Sequence, residues 1–259
     1  MQVTYMNGAG NDFMVMDARG QQPDFAKLAV ELCKLSNADG FMAVDDSEKA
    51  DFRLHFYNAD GSRGEMCGNG ARCICRYAYD HGIAGKTMVV ETDAGLVPGE
   101  RLDENTYRVQ LNNPGVLDLH RKGDIAYVEL GAPGVPHAVR LWEGADLFDQ
   151  KDALREQMRA LRFDPAFPKG ANVNYYQPLE PGVVRILTFE RGVEDFTLAC
   201  GTGGGSVACV LWLEGRLPES TLTAHSRGGT LKYTVSGGNG VVTSLLLEGP
   251  TEVVRTYEL

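Results

Sequence analysis

Two cysteines of this chain each begin the same short motif, Cys-Gly-x-Gly. Cys67 opens Cys-Gly-Asn-Gly, and Cys200 opens Cys-Gly-Thr-Gly. The residues that follow each motif favour a helix, so we expect each cysteine to lie at a helix N-terminus. There the unpaired backbone N–H groups and the helix dipole favour an anion, and they lower the pKa of a thiol from about 8.5 to about 3.5–7.5. Both thiols are therefore candidates for acid and base near neutral pH.

A pair of such thiols suits the inversion of a carbon stereocentre. A thiolate on one side of an amino acid's α-carbon would remove its proton, and a thiol on the other side would deliver a different one. A single acid–base residue would return the proton to the face from which it came. The glycines would let two helix N-termini approach and hold the carboxylate of that amino acid. The pattern predicts cofactor-independent epimerisation or racemisation, with Cys67 and Cys200 as the catalytic residues.

Other interpretations of these motifs remain open. Six cysteines, at positions 33, 67, 73, 75, 200 and 209, would also suit a thiol switch or a metal-binding protein. The spacing of Cys67, Cys73 and Cys75 is not that of a structural zinc site. The glycine run at residues 201–205 resembles a phosphate-binding loop, but it lacks the lysine that such loops carry. We predict neither a metal nor a cofactor.

Composition and charge argue against several classes of protein. The chain has 25 Lys and Arg against 35 Asp and Glu, a formal net charge of −10, which would repel a nucleic-acid backbone. It contains no apolar run of the roughly 18 residues that a membrane-spanning helix needs, and the first five residues indicate a strand and not a signal peptide. We therefore expect a cytoplasmic protein with free thiols that acts on a small-molecule amino acid and binds neither nucleic acid nor membrane.

Helices and strands must position these residues. Apolar residues recur at helical spacing over residues 23–35, which predicts an amphipathic helix with Cys33 in the core, and a second such helix carries Leu154, Met158 and Leu161. Strand patterns predominate in the rest of the chain. They cover residues 52–57, 87–92, 106–111, 125–130, 137–142, 172–177 and 183–190, with three more strands between residues 222 and 247. The sequence therefore predicts an α+β fold.

A weak internal repeat indicates a duplicated unit. Phe-Tyr-Asn-Ala at 56–59 precedes the Cys67 motif, just as Thr-Phe-Glu-Arg at 188–191 precedes the Cys200 motif. A polar turn cluster, Asn-Asn-Pro-Gly, lies at 112–115 near the middle of the chain. We predict an N-terminal domain of residues 1–114, completed by a C-terminal strand at about 250–259, and a C-terminal domain of residues 115–249. A pseudo-twofold axis between similar domains would bring the two cysteines face to face across a cleft.

Several separated motifs resemble those of the diaminopimelate epimerase family, in the family's order and across nearly the whole chain. They lie at residues 8–13, 58–62, 67–73, 190–192 and 199–203. The resemblance implies an isomerase of lysine biosynthesis that interconverts LL- and meso-diaminopimelate without a cofactor. It also implies two similar domains, each a mixed β-sheet curled around a central helix. A homodimer is implied as well, although Arg255 stands where an aromatic residue of the dimer interface is often found.

The resemblance also implies a role for each matching residue. Cys67 and Cys200 match the acid–base pair, and His137 matches a residue that influences the thiols. The positions that match substrate-binding residues are Gly68, Asn69, Gly201 and Thr202 at the reacting carboxylate, Asn11 and Glu190 near the reacting amino group, and Asn58, Asn172 and Arg191 at the distal amino-acid end.

This chain departs from the family pattern at positions that concern substrate recognition. Val135 replaces the asparagine of the usual Asn-Pro-His, and Gly40 stands where some members carry glutamine. The segment between Arg191 and Cys200 is one residue longer than usual. The acid–base pair is retained, so the alternative to diaminopimelate is racemisation of another amino acid, such as histidine or a related basic one, by the same two thiols.

Overall fold

The computed structural model describes residues 1–64 and 67–259. The chain forms two compact units. The first, here called the N-terminal unit, comprises residues 1–110 and 248–259, and the second, the C-terminal unit, comprises residues 111–247. The N-terminal unit is thus built from both ends of the chain.

Eight strands of the N-terminal unit form a mixed sheet in the order β17-β1-β2-β3-β4-β5-β6-β7. The β2–β3 and β4–β5 pairs are parallel, and the other neighbours are antiparallel. The strands are β1 (Gln2–Gly8), β2 (Asn11–Asp17), β3 (Gly40–Asp45), β4 (Phe52–Asn58), β5 (Thr87–Thr92), β6 (Gly95–Arg101), β7 (Thr106–Leu111) and β17 (Glu252–Glu258).

Two helices of different character pack on this sheet. Helix α1 (Phe25–Ser36) buries one face only, and its core residues include Leu32 and Cys33 as predicted. It begins two residues later than the apolar pattern suggests, because the Asp24 carboxylate accepts a hydrogen bond from Lys27 N–H and caps the helix there. Helix α2 (Gly68–Asp80) is buried along most of its length and forms the centre of the unit.

The C-terminal unit repeats this plan. Strands β8 to β12, β14 and β15 pair in the order β8-β9-β10-β11-β12-β14-β15, with parallel β10–β11 and β12–β14 pairs, and β13 pairs with β12. They are β8 (Pro114–Lys122), β9 (Ile125–Gly131), β10 (Gly134–Leu141), β11 (Asn172–Glu180), β12 (Val183–Glu190), β13 (Asp195–Phe196), β14 (Thr221–Ser226) and β15 (Gly229–Gly238), followed by β16 (Val241–Pro250).

The helices of the C-terminal unit again divide into a peripheral and a central one. Helix α3 (Lys151–Arg162) is amphipathic and buries Leu154, Met158 and Leu161, which confirms the predicted helix. Helix α4 (Gly201–Leu213) is buried on nearly all sides. A short 3-10 helix, Pro218–Ser220, follows it.

Both units therefore have the same local order of strand, loop, cysteine and central helix. Strand β4 leads to Cys67 and α2, and strand β12 leads to Cys200 and α4. This arrangement confirms the predicted α+β class with two similar mixed-sheet domains. Among the described residues, no helix combines the length and the apolar content that crossing a bilayer requires.

Candidate active site

Cys200 lies at the N-cap of helix α4 in an extended conformation, with φ −126° and ψ 108°. Its Sγ accepts a hydrogen bond from Gly203 N–H at 3.3 Å, and Thr202 Oγ1 lies 3.5 Å from the same sulfur. The residue is half-buried. Because first-turn N–H groups are otherwise unsatisfied and carry the positive end of the helix dipole, this position stabilises a thiolate.

Gly203 and Gly204 at the start of α4 lie where the surroundings leave no space for a side chain. A Cβ on Gly203 would lie 2.3 Å from Asn174 Oδ1 and 3.2 Å from Cys200 Sγ, and one on Gly204 would lie 2.3 Å from the Tyr233 hydroxyl. The run that resembles a phosphate loop is thus a tightly packed helix start.

Cys67 occupies the corresponding position at the start of α2. It is the N-cap residue, it is half-buried, and its backbone angles of φ −125° and ψ 121° nearly repeat those of Cys200. The segment before it includes Glu65 and Met66, which lie outside the described residues. The two cysteine motifs therefore share a local conformation as well as a sequence.

The other four cysteines have a different environment. Cys33, Cys73, Cys75 and Cys209 are buried. Burial raises the pKa of Cys33 to about 11 and that of each of the other three to about 12. These thiols are protonated near neutral pH, so they are poor nucleophiles, bases and metal ligands.

A directed chain of hydrogen bonds surrounds the start of α2. Arg72, which is fully buried, donates to Asn69 Oδ1 at 3.0 Å, and Asn69 Nδ2 donates to Asn11 Oδ1 at 2.6 Å. Asn11 Nδ2 in turn donates to Asp39 Oδ2 at 3.2 Å. A guanidinium only donates and a carboxylate only accepts, so the two ends fix the orientation of both amides. The structure thus brings Asn11 and Asn69 together, and it adds Arg72 and Asp39, which the sequence did not single out.

Asn58 lies at the end of β4, beside Gly40 in the β3–β4 pair. It is exposed, and its Nδ2 donates to Ser62 Oγ at 2.9 Å. A Cβ on Gly40 would lie 2.8 Å from Phe56 Cε2 and 3.0 Å from the Tyr57 carbonyl oxygen. The glycine at this position is therefore required by the packing of Phe56, and a glutamine here would need a different arrangement of that ring.

Asn172 and Arg191 lie together in the C-terminal unit. The buried Asn172 side chain accepts from Arg191 N–H at 2.8 Å through Oδ1 and donates to the Pro136 carbonyl at 3.2 Å through Nδ2. Arg191 is exposed, and its Nη1 donates to the Lys169 carbonyl at 3.0 Å. Asn172 thus positions Arg191 beside the Val135–Pro136 segment. Glu190, the residue before Arg191, is partly buried at the end of β12.

Lys169, whose carbonyl oxygen accepts the hydrogen bond from Arg191, carries a second cation. Lys169 Nζ lies 2.8 Å from Glu129 Oε2, and the Tyr127 hydroxyl donates to the other carboxylate oxygen at 2.7 Å. Burial alone would raise the pKa of Glu129, but the hydrogen bonds from Lys169 and Tyr127 outweigh it and hold this pKa below its usual value. Glu129 pairs with Pro136 across β9 and β10, so the Lys169 ammonium lies on the Pro136 face of these strands, whereas the Val135 side chain is on the other face. Lys169 could not be named from the sequence, because one exposed lysine carries no motif.

His137 is fully buried in β10. Its Nδ1 lies 3.1 Å from Asn174 Nδ2, and Asn174 Oδ1 accepts from the Thr188 hydroxyl at 2.9 Å. Burial lowers the pKa of His137 to about 3, with the positive charge of Arg191 acting in the same direction, so the imidazole is neutral at physiological pH. Its Nε2 has no hydrogen-bond partner within residues 1–64 and 67–259.

The fold places the protein in a structural class. A PhzF-family phenazine biosynthesis protein from Bacillus anthracis matches 100% of this chain and 98% of its own, with a TM-score of 0.78 and 14% identity. A hydroxyproline epimerase from Agrobacterium vitis matches 99% of this chain and 91% of its own, with a TM-score of 0.69 and 16% identity. Together with the repeated cysteine-capped helix, these likenesses define the class as the two-domain α+β fold that these proteins share.

Sequence comparison assigns the family within this class. The model of the diaminopimelate epimerase family matches residues 3–116 and 132–251. The diaminopimelate epimerase of Aquifex aeolicus is 35% identical over an alignment 248 positions long that covers 88% of each chain. That of a Hydrogenobaculum species is 35% identical over an alignment 286 positions long that covers 100% of each. The chain belongs to the diaminopimelate epimerase family.

Proposed function

We propose that the protein epimerises LL-diaminopimelate to meso-diaminopimelate by proton transfer between the substrate and two thiols, Cys67 and Cys200. Family membership makes it an isomerase and supports the substrate. The mechanism is supported by one observation that holds in both units. In each unit, a half-buried cysteine in the same extended conformation caps a central helix.

In the proposed reaction, one proton is removed from the α-carbon and another proton is delivered to it. The thiolate of one cysteine removes the α-proton, and the thiol of the other delivers its own proton to the opposite face, so each sulfur ends in the state that the other began in. Negative charge that develops on the substrate spreads into its α-carboxylate. The N–H groups at the two helix starts, at Gly68 and Asn69 and at Gly201 and Thr202, stabilise that charge.

Recognition of the amino groups and of the distal end is proposed for the remaining residues. Asn11, held in one orientation by Asn69 and Asp39, and Glu190 are proposed to bind the reacting ammonium. Arg191, Asn172 and Asn58 are proposed to bind the distal amino-acid end, where the Arg191 guanidinium suits a carboxylate. The bond from Arg191 N–H to Asn172 supports a shared role for these two residues.

Charge near Arg191 favours diaminopimelate over a basic amino acid. The charge of Lys169 is paired with that of Glu129, so the Arg191 guanidinium is the cation proposed for the distal end, where diaminopimelate carries a second carboxylate. The imidazolium of histidine or another cationic side chain would be repelled there.

Solvent deuterium exchange tests this function directly. The reduced protein, incubated with LL-diaminopimelate in D₂O, is expected to form the meso product and to incorporate deuterium at the α-carbon. Cys67→Ser and Cys200→Ser are each expected to lower epimerisation by about 10²–10⁴-fold, the usual contribution of an acid–base group. Cys33→Ala, which changes a buried thiol on α1, serves as the control.

A panel of amino acids completes this experiment. Histidine and lysine are expected to show no α-deuterium uptake under the same conditions. Exchange with these amino acids but not with diaminopimelate would reject the proposed substrate and retain the thiol mechanism. Full activity of both serine variants would reject the mechanism.

The setting of the enzyme is also a proposal. Thiol–thiolate chemistry needs reduced cysteines, so a reducing compartment such as the cytoplasm suits it. The homodimer implied by the family resemblance stays a prediction, which light scattering of the purified protein would test.

A further inference from the structure

The buried pair of His137 and Asn174 has a defined direction of hydrogen bonding. Asn174 Oδ1 accepts from the Thr188 hydroxyl, so Asn174 Nδ2 faces His137 Nδ1. The same Nδ2 also lies 3.3 Å from the Ala138 carbonyl and 3.2 Å from the Asn172 carbonyl. If the amide were flipped, its oxygen would face both of these carbonyl oxygens. The two carbonyl acceptors therefore fix the orientation of Asn174, and the Thr188 hydroxyl fits it.

This orientation determines where His137 carries its proton. An amide nitrogen only donates, so His137 Nδ1 must accept and therefore carries no hydrogen. A neutral imidazole has one N–H, which is then on Nε2. That N–H is buried and has no acceptor among the residues that the structure describes. A buried donor left unsatisfied is costly, so the arrangement favours the binding of an acceptor.

The pair borders the start of helix α4. Asn174 Oδ1 would lie only 2.3 Å from a Cβ on Gly203, and the N–H of Gly203 donates to Cys200 Sγ. His137 also lies on β10 next to Pro136, whose carbonyl is bonded to Asn172. The pair is thus surrounded by residues that the proposed function assigns to catalysis and substrate binding.

We propose that Asn174 is a positioning residue that locks His137 as a neutral Nε2–H donor for an anion formed or bound during the reaction. With its only exchangeable proton on Nε2 and Nδ1 occupied by Asn174, His137 donates a hydrogen bond and does not act as a general base. The identity of the reaction rests on the proposed function, whereas the protonation of His137 can be measured without it.

Nitrogen NMR of the wild-type protein is the first test. The chain has five histidines, so selective ¹⁵N labelling of histidine gives a simple spectrum, and His137→Gln identifies the signals of His137. The expected result is a protonated-type shift at Nε2 and an unprotonated-type shift at Nδ1 that stay unchanged between about pH 5 and pH 8. A hydrogen on Nδ1, or titration within that range, would overturn the proposal.

Asn174→Asp is the second test, because a carboxylate only accepts and so reverses the hydrogen bond. Nδ1 of His137 is expected to become protonated, and kcat with diaminopimelate is expected to fall about 10- to 100-fold, the effect of losing one hydrogen bond to a charged group, with a smaller change in KM. Asn239→Asp makes the same substitution at an exposed left-handed turn and is expected to leave the His137 signals and kcat unchanged.

The outcomes separate the inference from the function on which it rests. Loss of the Nε2 hydrogen in Asn174→Asp with unchanged kcat would overturn the positioning role, and so would an Nδ1 that stays unprotonated in that variant. If the variant does not fold, the wild-type spectrum alone decides the protonation of His137. Absence of diaminopimelate turnover by the wild-type protein would reject the proposed function and leave the spectral result standing.

Discussion

At the scale of single residues, neighbours decide what each cysteine can do. Cys67 and Cys200 are half-buried at helix starts, where backbone N–H groups favour a thiolate. The other four thiols are buried, and burial raises their pKa. One residue type thus lies half-buried at helix starts at two positions and packs in the core at four.

This difference predicts selective alkylation. Iodoacetamide near pH 7.5 is expected to modify Cys67 and Cys200 first, because they are accessible and the thiolate is the reacting form. Mass spectrometry of digests taken over time would identify the order. Modification of Cys73 or Cys209 before either of these residues, in protein that remains folded, would contradict the prediction.

Lys169 is expected to contribute to substrate affinity. Replacing it by methionine leaves the Glu129 carboxylate without its cation, and this unpaired negative charge would oppose the binding of the distal carboxylate. KM for diaminopimelate is expected to rise roughly three- to tenfold, because a half-exposed ion pair contributes about 1 kcal/mol. The value of kcat should change little, since the contact is remote from the reacting carbon. Lys232→Met, at an exposed position on β15, is the control. An unchanged KM would exclude this role for Lys169.

The buried neutral His137 predicts how stability depends on pH. Its pKa is about 3 in the folded protein and about 6.5 in the unfolded chain, so between these values the unfolded state binds one more proton. This contribution to stability is fully present above pH 6.5 and is lost as the pH falls, by about 1.4 kcal/mol per unit.

Urea unfolding of wild type and His137→Gln measures this contribution. Between pH 6.5 and pH 5 the free energy of unfolding of the wild type is expected to fall by about 2 kcal/mol more than that of the variant, since other groups titrate alike in both. Parallel pH profiles for the two proteins would show that His137 is charged in the folded state.

At the scale of elements, the first turn of α4 depends on small residues. Gly203→Ala would force its methyl group against Asn174 Oδ1 and Cys200 Sγ, so we expect a loss of about 1–3 kcal/mol in stability and a lower kcat. Gly238 has open space around it and an ordinary φ, so Gly238→Ala is a matched control with little expected effect. Equal stability and activity of the two variants would show that α4 can shift to admit the methyl group.

The sequence predicted the elements whose periodicity reflects one buried face. Strands β5 and β7 and helix α3 match their predicted positions because apolar residues alternate or recur there at a regular spacing. Strand β17 falls in the segment 250–259 for which a strand was predicted, but no alternation of apolar residues marks it, because it is exposed along nearly its whole length and is held by backbone pairing with β1. Helix α4 has no polar face, so only the motif at Cys200 indicated where it begins.

The residues of the candidate site also divide into those that the sequence could predict and those that it could not. Residues in motifs, such as Cys67, Cys200 and Asn11, could be named from the sequence. Asp39 and Asn174 could not, since their roles come from contacts with residues distant in the chain. One signal was available: Asn172 and Asn174 alternate with Val173 and Tyr175 at the start of β11, and polar residues at buried positions need hydrogen-bond partners.

At the scale of the whole molecule, the N-terminal unit depends on the far end of the chain. Strand β17 pairs with β1 from Gln2 opposite Glu258 to Asn7 opposite Glu252, and the Tyr257 hydroxyl lies 2.5 Å from Ser36 Oγ on α1. Deleting residues 252–259 would expose the β1 edge and remove these bonds.

We expect that truncation to destabilise the N-terminal unit selectively. Amides of β1 and β2 should exchange with solvent much faster, while those of β11 and β12 in the C-terminal unit should keep their protection. Hydrogen exchange read by mass spectrometry resolves the two regions, and deletion of Leu259 alone serves as the control. Equal loss of protection in both units would show that the whole chain unfolds as one body.

The closure of the N-terminal sheet by β17 has a consequence for biosynthesis. The C-terminal unit is one continuous segment, so it can fold on the ribosome once residue 247 has left the exit tunnel. The unit that is translated first lacks a strand until translation of the segment containing β17 is finished. The unit that is translated first is therefore completed last. Until β17 is translated, the nascent chain carries an open sheet edge that is exposed to chaperones.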